Sequence, residues 1–295
     1  MPTPLSKTRP TVSIVICFYN PGRFFQLALQ SVFAQTFTDW ELLLLDDGST
    51  DGSLDLALGI GDERVRVFSD GARKRANFRL NEGTRLARGE YLFRMDADDV
   101  MHPDRLAVQL PVLKACSPET VLGTACYSID SQSNVVGWRP VRKRRRTGFA
   151  ARYSFVHPTV AASTEWFRRN PYSTDQIYKR GQDAELWCRT ASFSDFRWIE
   201  QPLLFYREMG VFSLQNYLAG EDALLDLISH LEQRAIRRLW LRTKERVKMA
   251  AFRGLVALHC SDLIVRHRFR KLTSNARSDA EQLIRQITQM QLPVK

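Results

Sequence analysis

Short apolar runs alternate with segments of helical periodicity over the first hundred residues. Four runs, rich in β-branched residues and leucine, are typical of buried strands: Thr11–Phe18, Glu41–Leu45, Val65–Phe68 and Tyr91–Met95. Between them, two segments place small or apolar residues on one helical face: Phe24, Leu27, Ala28 and Val32 in the first, and Ala76, Leu80, Thr84 and Ala87 in the second. This alternation predicts βαβ units, and hence an α/β fold with a mostly parallel sheet and helices on both of its faces.

Beyond residue 120 the pattern is less regular. It predicts a hairpin of Val121–Ile129 with Val135–Trp138 and a helix over Ala184–Ala191. A strand pair around Phe196–Tyr206 and a long helical region from Glu221 to about Leu272 follow. Ser274-Asn275 predicts a break before a last short helix near Asp279–Met290. We therefore expect an α/β domain over residues 1–215 and a helical extension over residues 216–295.

A polar cluster follows three of the predicted strands. These clusters are Tyr19-Asn20, Asp46-Asp47 and Asp96-Ala97-Asp98-Asp99. Parallel sheets bind ligands outside the carboxyl ends of their strands, so the three clusters are expected to lie close together. The sequence therefore predicts a polar site at this edge of the sheet.

Asp96 and Asp98 point to a metal ion. Side chains at i and i+2 of an extended chain face the same way, and two carboxylates in one cleft repel each other unless a cation lies between them. Mn²⁺ and Mg²⁺ prefer oxygen ligands, and substrate phosphates commonly complete their coordination. Since the chain has no G-x-x-x-x-G-K phosphate loop, we expect a metal to neutralise a bound diphosphate.

The segment from Asp46 to Ser53 admits two interpretations. Its Gly, Ser and Thr residues suit a turn followed by a helix N-cap. Asp47, placed directly at the strand end, is in addition a fitting acceptor for the N–H of a nucleotide base. Tyr19 then provides a ring on which that base stacks, although a tyrosine at this place is also typical of core packing.

Four segments together resemble the nucleotide-sugar glycosyltransferases of family two. They are Ser13-Ile14-Val15-Ile16-Cys17-Phe18-Tyr19-Asn20, Asp46-Asp47-Gly48-Ser49-Thr50-Asp51, Gly89-Glu90-Tyr91 with Asp96-Ala97-Asp98-Asp99, and Pro103-Asp104-Arg105-Leu106. The similarity covers roughly residues 11–207 in motif order and spacing. It implies a GT-A type fold, a nucleoside-diphosphate-sugar donor that is usually UDP-linked, a Mn²⁺ or Mg²⁺ ion, and inversion at the anomeric carbon.

The resemblance also assigns roles to individual residues. It implies that Asp47 reads the uracil N–H, that Tyr19, with Asn20 beside it, stacks on the base, and that Arg75 helps to hold the nucleotide. Asp96 corresponds to the position that contacts the ribose and a metal-bound water, and Asp98 to the direct metal ligand.

The general base is implied by the segment Gly181-Gln182-Asp183-Ala184-Glu185-Leu186-Trp187, which resembles the family's E-D-x-x-L-W helix start. Asp183 matches the base, although Gln182 stands where Glu is usual. Glu185 is the alternative base, and a charge that favours the helix dipole is the alternative role for Asp183. His157-Pro158-Thr159 matches a motif that lines the phosphate or acceptor side, although a single histidine is also often structural.

The net charge of +11 belongs entirely to the end of the chain. Residues 1–233 hold 28 basic and 28 acidic side chains, whereas residues 234–295 hold 15 basic and 4 acidic ones. Basic residues interleaved with large apolar ones, such as Trp240, favour an anionic membrane surface as a partner. A solvated helical face, or packing on the catalytic domain or a second subunit, is the alternative. Five scattered cysteines and the absence of a signal sequence or spanning segment predict a cytoplasmic protein. If the basic region does bind a membrane, the protein is expected to be peripheral on the inner face of the cytoplasmic membrane.

Three other classes fit less well. A nucleic-acid binder would use the basic C-terminal region and the run Arg142–Arg146, but these lack interleaved aromatics in a recognisable module. A sugar nucleotidyltransferase would need a glycine-rich triphosphate loop after the first strand, where Tyr19-Asn20-Pro21-Gly22 stands instead. A processive synthase would carry membrane helices and a Q-x-x-R-W motif. We therefore expect a non-processive hexosyltransferase that places one sugar on a glycan or lipid-linked acceptor, with no nucleic acid as partner and with homo-oligomers left open.

Overall fold

The computed structural model describes residues 9–141, 151, 154–175, 178, 181–208, 214–257 and 270–295. Within these residues one sheet holds nine strands: β1 (Val12–Phe18), β2 (Trp40–Asp46), β3 (Val65–Phe68), β4 (Tyr91–Asp96), β5 (Val100–Met101), β6 (Thr120–Ile129), β7 (Val135–Arg139), β8 (Ala161–Ser163) and β9 (Asp195–Arg207). The helices are α1 (Phe24–Phe33), α2 (Ser53–Leu58), α3 (Ala76–Leu86), α4 (Arg105–Lys114), α5 (Thr164–Arg169), α6 (Gln182–Thr190), α7 (Leu214–Leu231), α8 (Ala235–Ala257) and α9 (Ser274–Thr288).

The first half of the sheet is parallel. Strands β3, β2, β1 and β4 lie side by side in that order, and the register sets Cys17 of β1 between Leu45 of β2 and Asp96 of β4. The carboxyl ends of these strands therefore meet at one edge. Beyond β4 the sheet is mixed, since β8 is antiparallel to β4 and β6, while β9 runs parallel to β6. The predicted α/β class with βαβ units is confirmed.

Both faces of the parallel half are covered, which explains why its strands are apolar without interruption. Ile14 and Leu42 belong to one core cluster, with residues from α1 and α4. Their sequence neighbours Val15 and Leu43 belong to a second cluster, with residues from α3, α5 and α6. Successive side chains of a strand point to opposite faces, so each strand needs apolar residues at every position.

Two details of the predicted secondary structure are wrong. The region around Phe196–Tyr206 is one long strand, β9, and not a pair: its register against β6 shifts near Pro202, which has no N–H to donate to the ladder. Ser274-Asn275 is not a break but the first turn of α9, because the Thr273 hydroxyl caps the N–H of Ala276 at 3.3 Å. The predicted hairpin of β6 and β7 is confirmed.

The C-terminal part of the chain returns to the sheet. Ala280, Ile284 and Ile287 of α9 pack with Ile129 and Phe205. Backbone hydrogen bonds then join Lys295 to Gly59 and Gly61 to Pro293, both at 2.9 Å. Helix α9 thus belongs to the packing of the sheet, and the division of the chain near residue 215 stays a prediction. Among the described helices none has the length and apolar character needed to cross a membrane.

Candidate active site

An acidic cluster lies where β4 ends. Asp96, Asp98 and Asp99 each place a carboxylate oxygen within 4.8 Å of the others. Burial, with the charge of Asp96 as a second cause, raises the pKa of Asp98 to about 6, and the same causes raise the pKa of Asp99 well above its ordinary value. Such mutual repulsion suits a divalent cation, and oxygen ligands are those that Mn²⁺ and Mg²⁺ prefer. The residues present therefore fit a metal ion.

Asp99 is the member of this cluster to which the sequence assigned no role. Its Oδ1 accepts a hydrogen bond of 2.8 Å from the backbone N–H of Arg207, at the end of β9. Its Oδ2 is buried and has no hydrogen-bond partner among the described residues. An orphaned buried carboxylate oxygen beside two further carboxylates is a position that a bound cation would satisfy.

Arg94 is a buried cation at the centre of the site. It precedes Asp96 by two residues on β4, and its guanidinium donates to the Asp96 carboxylate. Its Nε and a second terminal nitrogen are buried with no hydrogen-bond partner among the described residues. A buried guanidinium normally has all its N–H groups paired. The unpartnered groups of Arg94 therefore mark a position where a ligand oxygen would complete the pairing. The i, i+2 spacing to Asp96 was the available signal in the sequence.

Asp47 organises the chain that leads into α3. Its carboxylate accepts the backbone N–H of Lys74 at 2.7 Å and that of Arg75 at 2.9 and 3.0 Å, and Arg79 Nε lies 3.3 Å away. Arg75 has a φ of +79°, a conformation that costs energy for a non-glycine residue. A carboxylate has about four acceptor positions, two on each oxygen. Among the described residues, Oδ2 of Asp47 receives only the 3.0 Å contact from Arg75, so it can accept a base N–H as well. The base-reading role of Asp47 stays a prediction, as does the nucleotide-holding role of Arg75.

Tyr19 and Asn20 follow β1 at the rim of the site. The Tyr19 side chain is 40% exposed, and the guanidinium carbon of Arg73 lies 3.9 Å from the centre of its ring. Asn20, at a φ of +47°, accepts the N–H of Thr50 at 2.7 Å through its Oδ1. Asn20 thereby joins the loops after β1 and β2, whereas Tyr19 presents an exposed aromatic surface. Their contacts with a nucleotide stay predictions.

Asp183 lies in the first turn of α6, directly after Gln182. It is half-buried, and loss of hydration raises the pKa of its carboxyl, while the N–H of Ala184 and the charge of Arg94 act in the opposite direction. The alternative base, Glu185, is buried and bound to Arg189 at 2.6 and 3.1 Å. Both oxygens of Glu185 are therefore engaged by Arg189, and the choice of Asp183 over Glu185 as the base stays a prediction.

His157 lies in a turn of 3₁₀ helix, His157–Thr159, and contacts a residue that sequence reasoning missed. Its Nε2 lies 2.8 Å from the hydroxyl oxygen of Tyr172. Burial and the nearby charge of Arg94 hold the pKa of His157 well below its ordinary value, so the imidazole is neutral. Arg94 therefore acts on the acidic cluster, Asp183 and His157 at once, and a role for His157 on the phosphate or acceptor side stays a prediction.

Residues 13–176 match the sequence model of a family described as glycosyl transferase family 2, which is more than half of the chain. The chain belongs to glycosyl transferase family 2. The Bacillus subtilis (strain 168) protein EpsE, named as a glycosyltransferase, is 30% identical over 185 residues, which is 61% of this chain and 66% of EpsE.

A second relative is named for its reaction. It is the UDP-Glc:alpha-D-GlcNAc-diphosphoundecaprenol beta-1,3-glucosyltransferase WfgD of Escherichia coli, 28% identical over 126 residues, or 43% of this chain and 49% of WfgD. Solved structures share the fold at lower identity. S. aureus TarS 1–349 in complex with UDP-GlcNAc has a TM-score of 0.56 at 14% identity, with 80% of this chain and 71% of that chain covered. Mannosyltransferase PcManGT from Pyrobaculum calidifontis, in complex with GDP-Man and Mn²⁺, has a TM-score of 0.56 at 16% identity, with 98% and 89% covered.

In this family-2 glycosyltransferase, Arg207 supports the acidic cluster, although the sequence alone indicated no role for it. Arg207 Nε donates to the carbonyl oxygen of Asp98 at 2.7 Å, and one of its terminal nitrogens donates to the carbonyl oxygen of Asp130 at 2.7 Å and to Ser133 Oγ at 3.1 Å. Its guanidinium also lies 4.3 Å from the ring centre of Phe24. Arg207 thus ties the turn after β4 to the β6–β7 hairpin.

Proposed function

We propose that this glycosyltransferase moves one sugar from a UDP-linked sugar donor to a hydroxyl of a glycan or lipid-linked glycan, with inversion at the anomeric carbon. One observation carries the proposal: the buried cation Arg94 donates to Asp96 of the acidic cluster, and its charge also acts on the half-buried carboxyl of Asp183 on α6. This arrangement supports a donor phosphate site and a base for the acceptor close to the same buried cation.

The donor end is assigned to the loops after β1 and β2 and to the start of α3. The exposed ring of Tyr19 suits stacking on a base, and Asp47 lies beside it with backbone N–H groups that fix its orientation. A uracil base is supported by the family relationship together with the names of WfgD and of the TarS complex, which refer to UDP-Glc and UDP-GlcNAc. Asn20 and Arg75 complete this set by holding the two loops.

Asp96 and Asp98 would hold a Mn²⁺ or Mg²⁺ ion, with Asp99 directly behind them. A bound divalent ion supplies compensation of the negative charge that develops on the departing diphosphate. Arg94 adds a fixed positive charge and two nitrogens with unpartnered N–H groups, which suit phosphate oxygens. The structure of PcManGT, which holds GDP-Man together with Mn²⁺, supports this assignment by analogy of fold.

Asp183 is the proposed general base. The acceptor oxygen attacks the anomeric carbon, the bond from that carbon to the diphosphate oxygen breaks, and the hydroxyl proton passes to the Asp183 carboxylate. A positioned base of this kind contributes about 10²–10⁴-fold to the rate. The raised pKa of Asp183 matches it to this task better than an ordinary carboxyl, because proton transfer is more favourable to a stronger base.

The acceptor is proposed to be lipid-linked. The support is the relative WfgD, which is named for a diphosphoundecaprenol-linked sugar. The proposal of single-sugar transfer, rather than processive synthesis, is supported by the lack of a Q-x-x-R-W motif in the sequence.

The experiment is a donor panel. UDP-, GDP- and dTDP-sugars are tested with Mn²⁺ for thermal stabilisation of the protein and for transfer to synthetic undecaprenyl-diphosphate sugars. One UDP-sugar should stabilise the protein and yield a product longer by a single residue, with the anomeric configuration inverted in its NMR spectrum. Retention of configuration, or equal transfer in excess EDTA, would contradict the mechanism.

A further inference from the structure

Helix α8 carries four large apolar side chains on its outside. Ile236, Leu239, Trp240 and Val247 are 86%, 68%, 60% and 64% exposed, and we call this set the outer face of α8. Exposed apolar side chains scattered singly are ordinary in soluble proteins, but a contiguous group on one element marks an interaction site.

The spacing of these residues makes them one stripe. Trp240 and Val247 follow Ile236 by four and eleven residues, which returns to nearly the same side of an α-helix, and Leu239 lies next to them. Basic residues border the stripe on both sides: Arg242, Arg246 and Arg253 on one, and Arg237, Lys244 and Lys248 on the other. A single acidic residue, Glu245, belongs to α8, and it is buried on the opposite side.

Three of these cations are engaged within the protein. Arg237 pairs with Glu232 at 3.1 Å, Lys248 with Glu245 at 3.4 Å, and Arg242 donates to Ser229. Lys244, Arg246 and Arg253 have no ion-pair partner among the described residues, and the Lys244 ammonium lies 5.3 Å from the centre of the Trp240 ring. Three of the six cations that border the apolar stripe therefore carry a charge that no acidic side chain of the described residues offsets.

The opposite side of α8 is what holds it to the protein. Leu241 packs in a cluster with Leu227 and Ile228 of α7 and with Cys188 of α6. The outer face takes no part in this cluster. It is therefore available for a partner, and substitutions in it leave the packing of α8 unchanged.

We propose that the outer face of α8 docks on an anionic phospholipid surface, with the helix lying in the plane of the interface. Apolar side chains then enter the boundary between head groups and acyl chains, while the arginines and lysines on both flanks reach the lipid phosphates. A ring such as Trp240 is favoured at that depth because it is amphipathic.

Two other occupants fit less well. Pairing with a second copy through this face would bring two rows of cations together, with the one acidic residue of each α8 buried. A nucleic acid would use the cations but would leave Ile236, Leu239 and Val247 against charged phosphates. A lipid surface is the partner that uses both the apolar stripe and its basic borders.

The inference goes beyond the proposed function, because it concerns where the protein binds and not what it transfers. It has a bearing on the site through one chain of contacts. Helix α8 packs on α7, α7 packs on α6 through Cys188, and α6 carries Asp183 in its first turn. Docking of α8 would thus fix the orientation of α6, and with it Asp183, relative to the lipid surface.

The experiment uses the full-length protein and vesicles of phosphatidylcholine alone or mixed with phosphatidylglycerol. The protein should sediment with the mixed vesicles at low salt and should be released at 1 M salt, where the screening length falls to about 3 Å. The combined change Ile236→Ser, Trp240→Ser and Val247→Ser should weaken binding about tenfold or more. The change Lys244→Gln, Arg246→Gln and Arg253→Gln should remove the preference for the anionic lipid.

Matched controls lie elsewhere on the surface. Phe193→Ser removes an apolar side chain that is 54% exposed outside α8, and Arg197→Gln removes an exposed cation. Both variants should bind vesicles as the wild type does. A truncation is unsuitable as a control, because removal of the chain after α7 also removes α9, which packs on the sheet.

Brominated lipids provide an independent readout, since they should quench Trp240 in the wild type and leave the fluorescence of a Trp240→Phe variant nearly unchanged. Equal sedimentation of the apolar triple variant and the wild type would overturn the proposal. So would a dimer that this variant dissociates, or duplex DNA binding that the cation variant abolishes, if either occurred without vesicle binding.

Discussion

The side chains of Asp99 and Arg207 each bind the backbone of the other's segment. Asp99 Oδ1 accepts the N–H of Arg207 at 2.8 Å, and Arg207 Nε donates to the carbonyl oxygen of Asp98, the neighbour of Asp99, at 2.7 Å. Two segments more than a hundred residues apart are thereby fixed against one another. The orientation of the Asp98 carboxylate depends on this pair, since its own backbone carbonyl is one of the atoms held.

We expect Arg207→Met to lower activity about 10- to 100-fold, because residues that orient metal ligands have effects of this size. The affinity for Mn²⁺, measured by titration of activity or calorimetry, should fall in parallel. Arg197→Met, a change on the same strand at an exposed position, is the control and should match the wild type. An Arg207→Met protein that is folded and fully active would show that Asp98 needs no such support.

We expect Asp98→Ala to reduce transfer about 10³-fold or more, since compensation of charge on the leaving group is worth several kcal/mol. The fold should persist, because no described hydrogen bond to another element uses the Asp98 side chain. Mn²⁺-dependent binding of UDP, measured calorimetrically, should be lost. Asp195→Ala, which removes a half-buried carboxylate bound to Arg197 on β9, is the control. Unchanged turnover of Asp98→Ala would contradict the metal assignment.

Asp183→Asn should lower kcat about 10²-fold or more while the KM for the donor stays near that of the wild type. The amide keeps the size of the side chain but accepts no proton. Glu185→Gln should instead weaken the bond to Arg189 and lower the thermal midpoint, with kcat largely preserved. The reverse pattern in the two variants would identify Glu185 as the base.

The raised pKa of Asp183 also predicts an effect on stability. The folded protein binds the proton of this carboxyl more tightly than the unfolded chain does, whose value is near 3.8. The ionised form therefore lowers the free energy of unfolding at pH values above the folded pKa, and this cost disappears as the pH falls through it. Asp183→Asn should raise the thermal midpoint at pH 7, and the difference from the wild type should shrink at about pH 4. Equal differences at both pH values would refute this.

Arg94 can be tested through the pH profile. Its charge opposes the rise in the pKa of Asp183, so Arg94→Met should move the acidic limb of kcat to higher pH. Arg94→Lys keeps the charge but not the planar N–H groups, so it should leave the limb in place while weakening donor binding. A merely structural role would lower activity in both variants without moving the limb.

Local pattern predicted the parallel half of the fold well. The strand Val65–Phe68 was predicted to the residue, and the convergence of the polar strand ends follows from the register of β1 with β2 and β4. Long-range pairing was not accessible in the same way. Nothing local distinguishes Arg207 from other arginines, because its partners come from the turn after β4 and from the β6–β7 hairpin. Strand β9 was predicted as a strand pair, whereas it is one strand that continues through Pro202, a residue type that is common in turns.

The site shows the same division. Carboxylates at strand ends can be recognised in the sequence, because acidic residues follow directly after apolar runs that predict buried strands. The buried cation Arg94, the orphaned oxygen of Asp99 and the contact of Tyr172 with His157 depend on burial and distance, which only the folded chain provides. The run Arg142–Arg146 lies outside the described residues.

The return of the chain to the sheet at Arg270 makes α7 and α8 an insertion rather than a tail. Glu208 is bonded to Ile129 of β6, and Arg270 pairs with Trp138 of β7, so the two ends of the insertion are separated by about three strand spacings, or roughly 15 Å. A short linker could bridge that gap. Helices α7 and α8 could therefore be replaced by a short linker, or exchanged between related enzymes, while the sheet and α9 are kept.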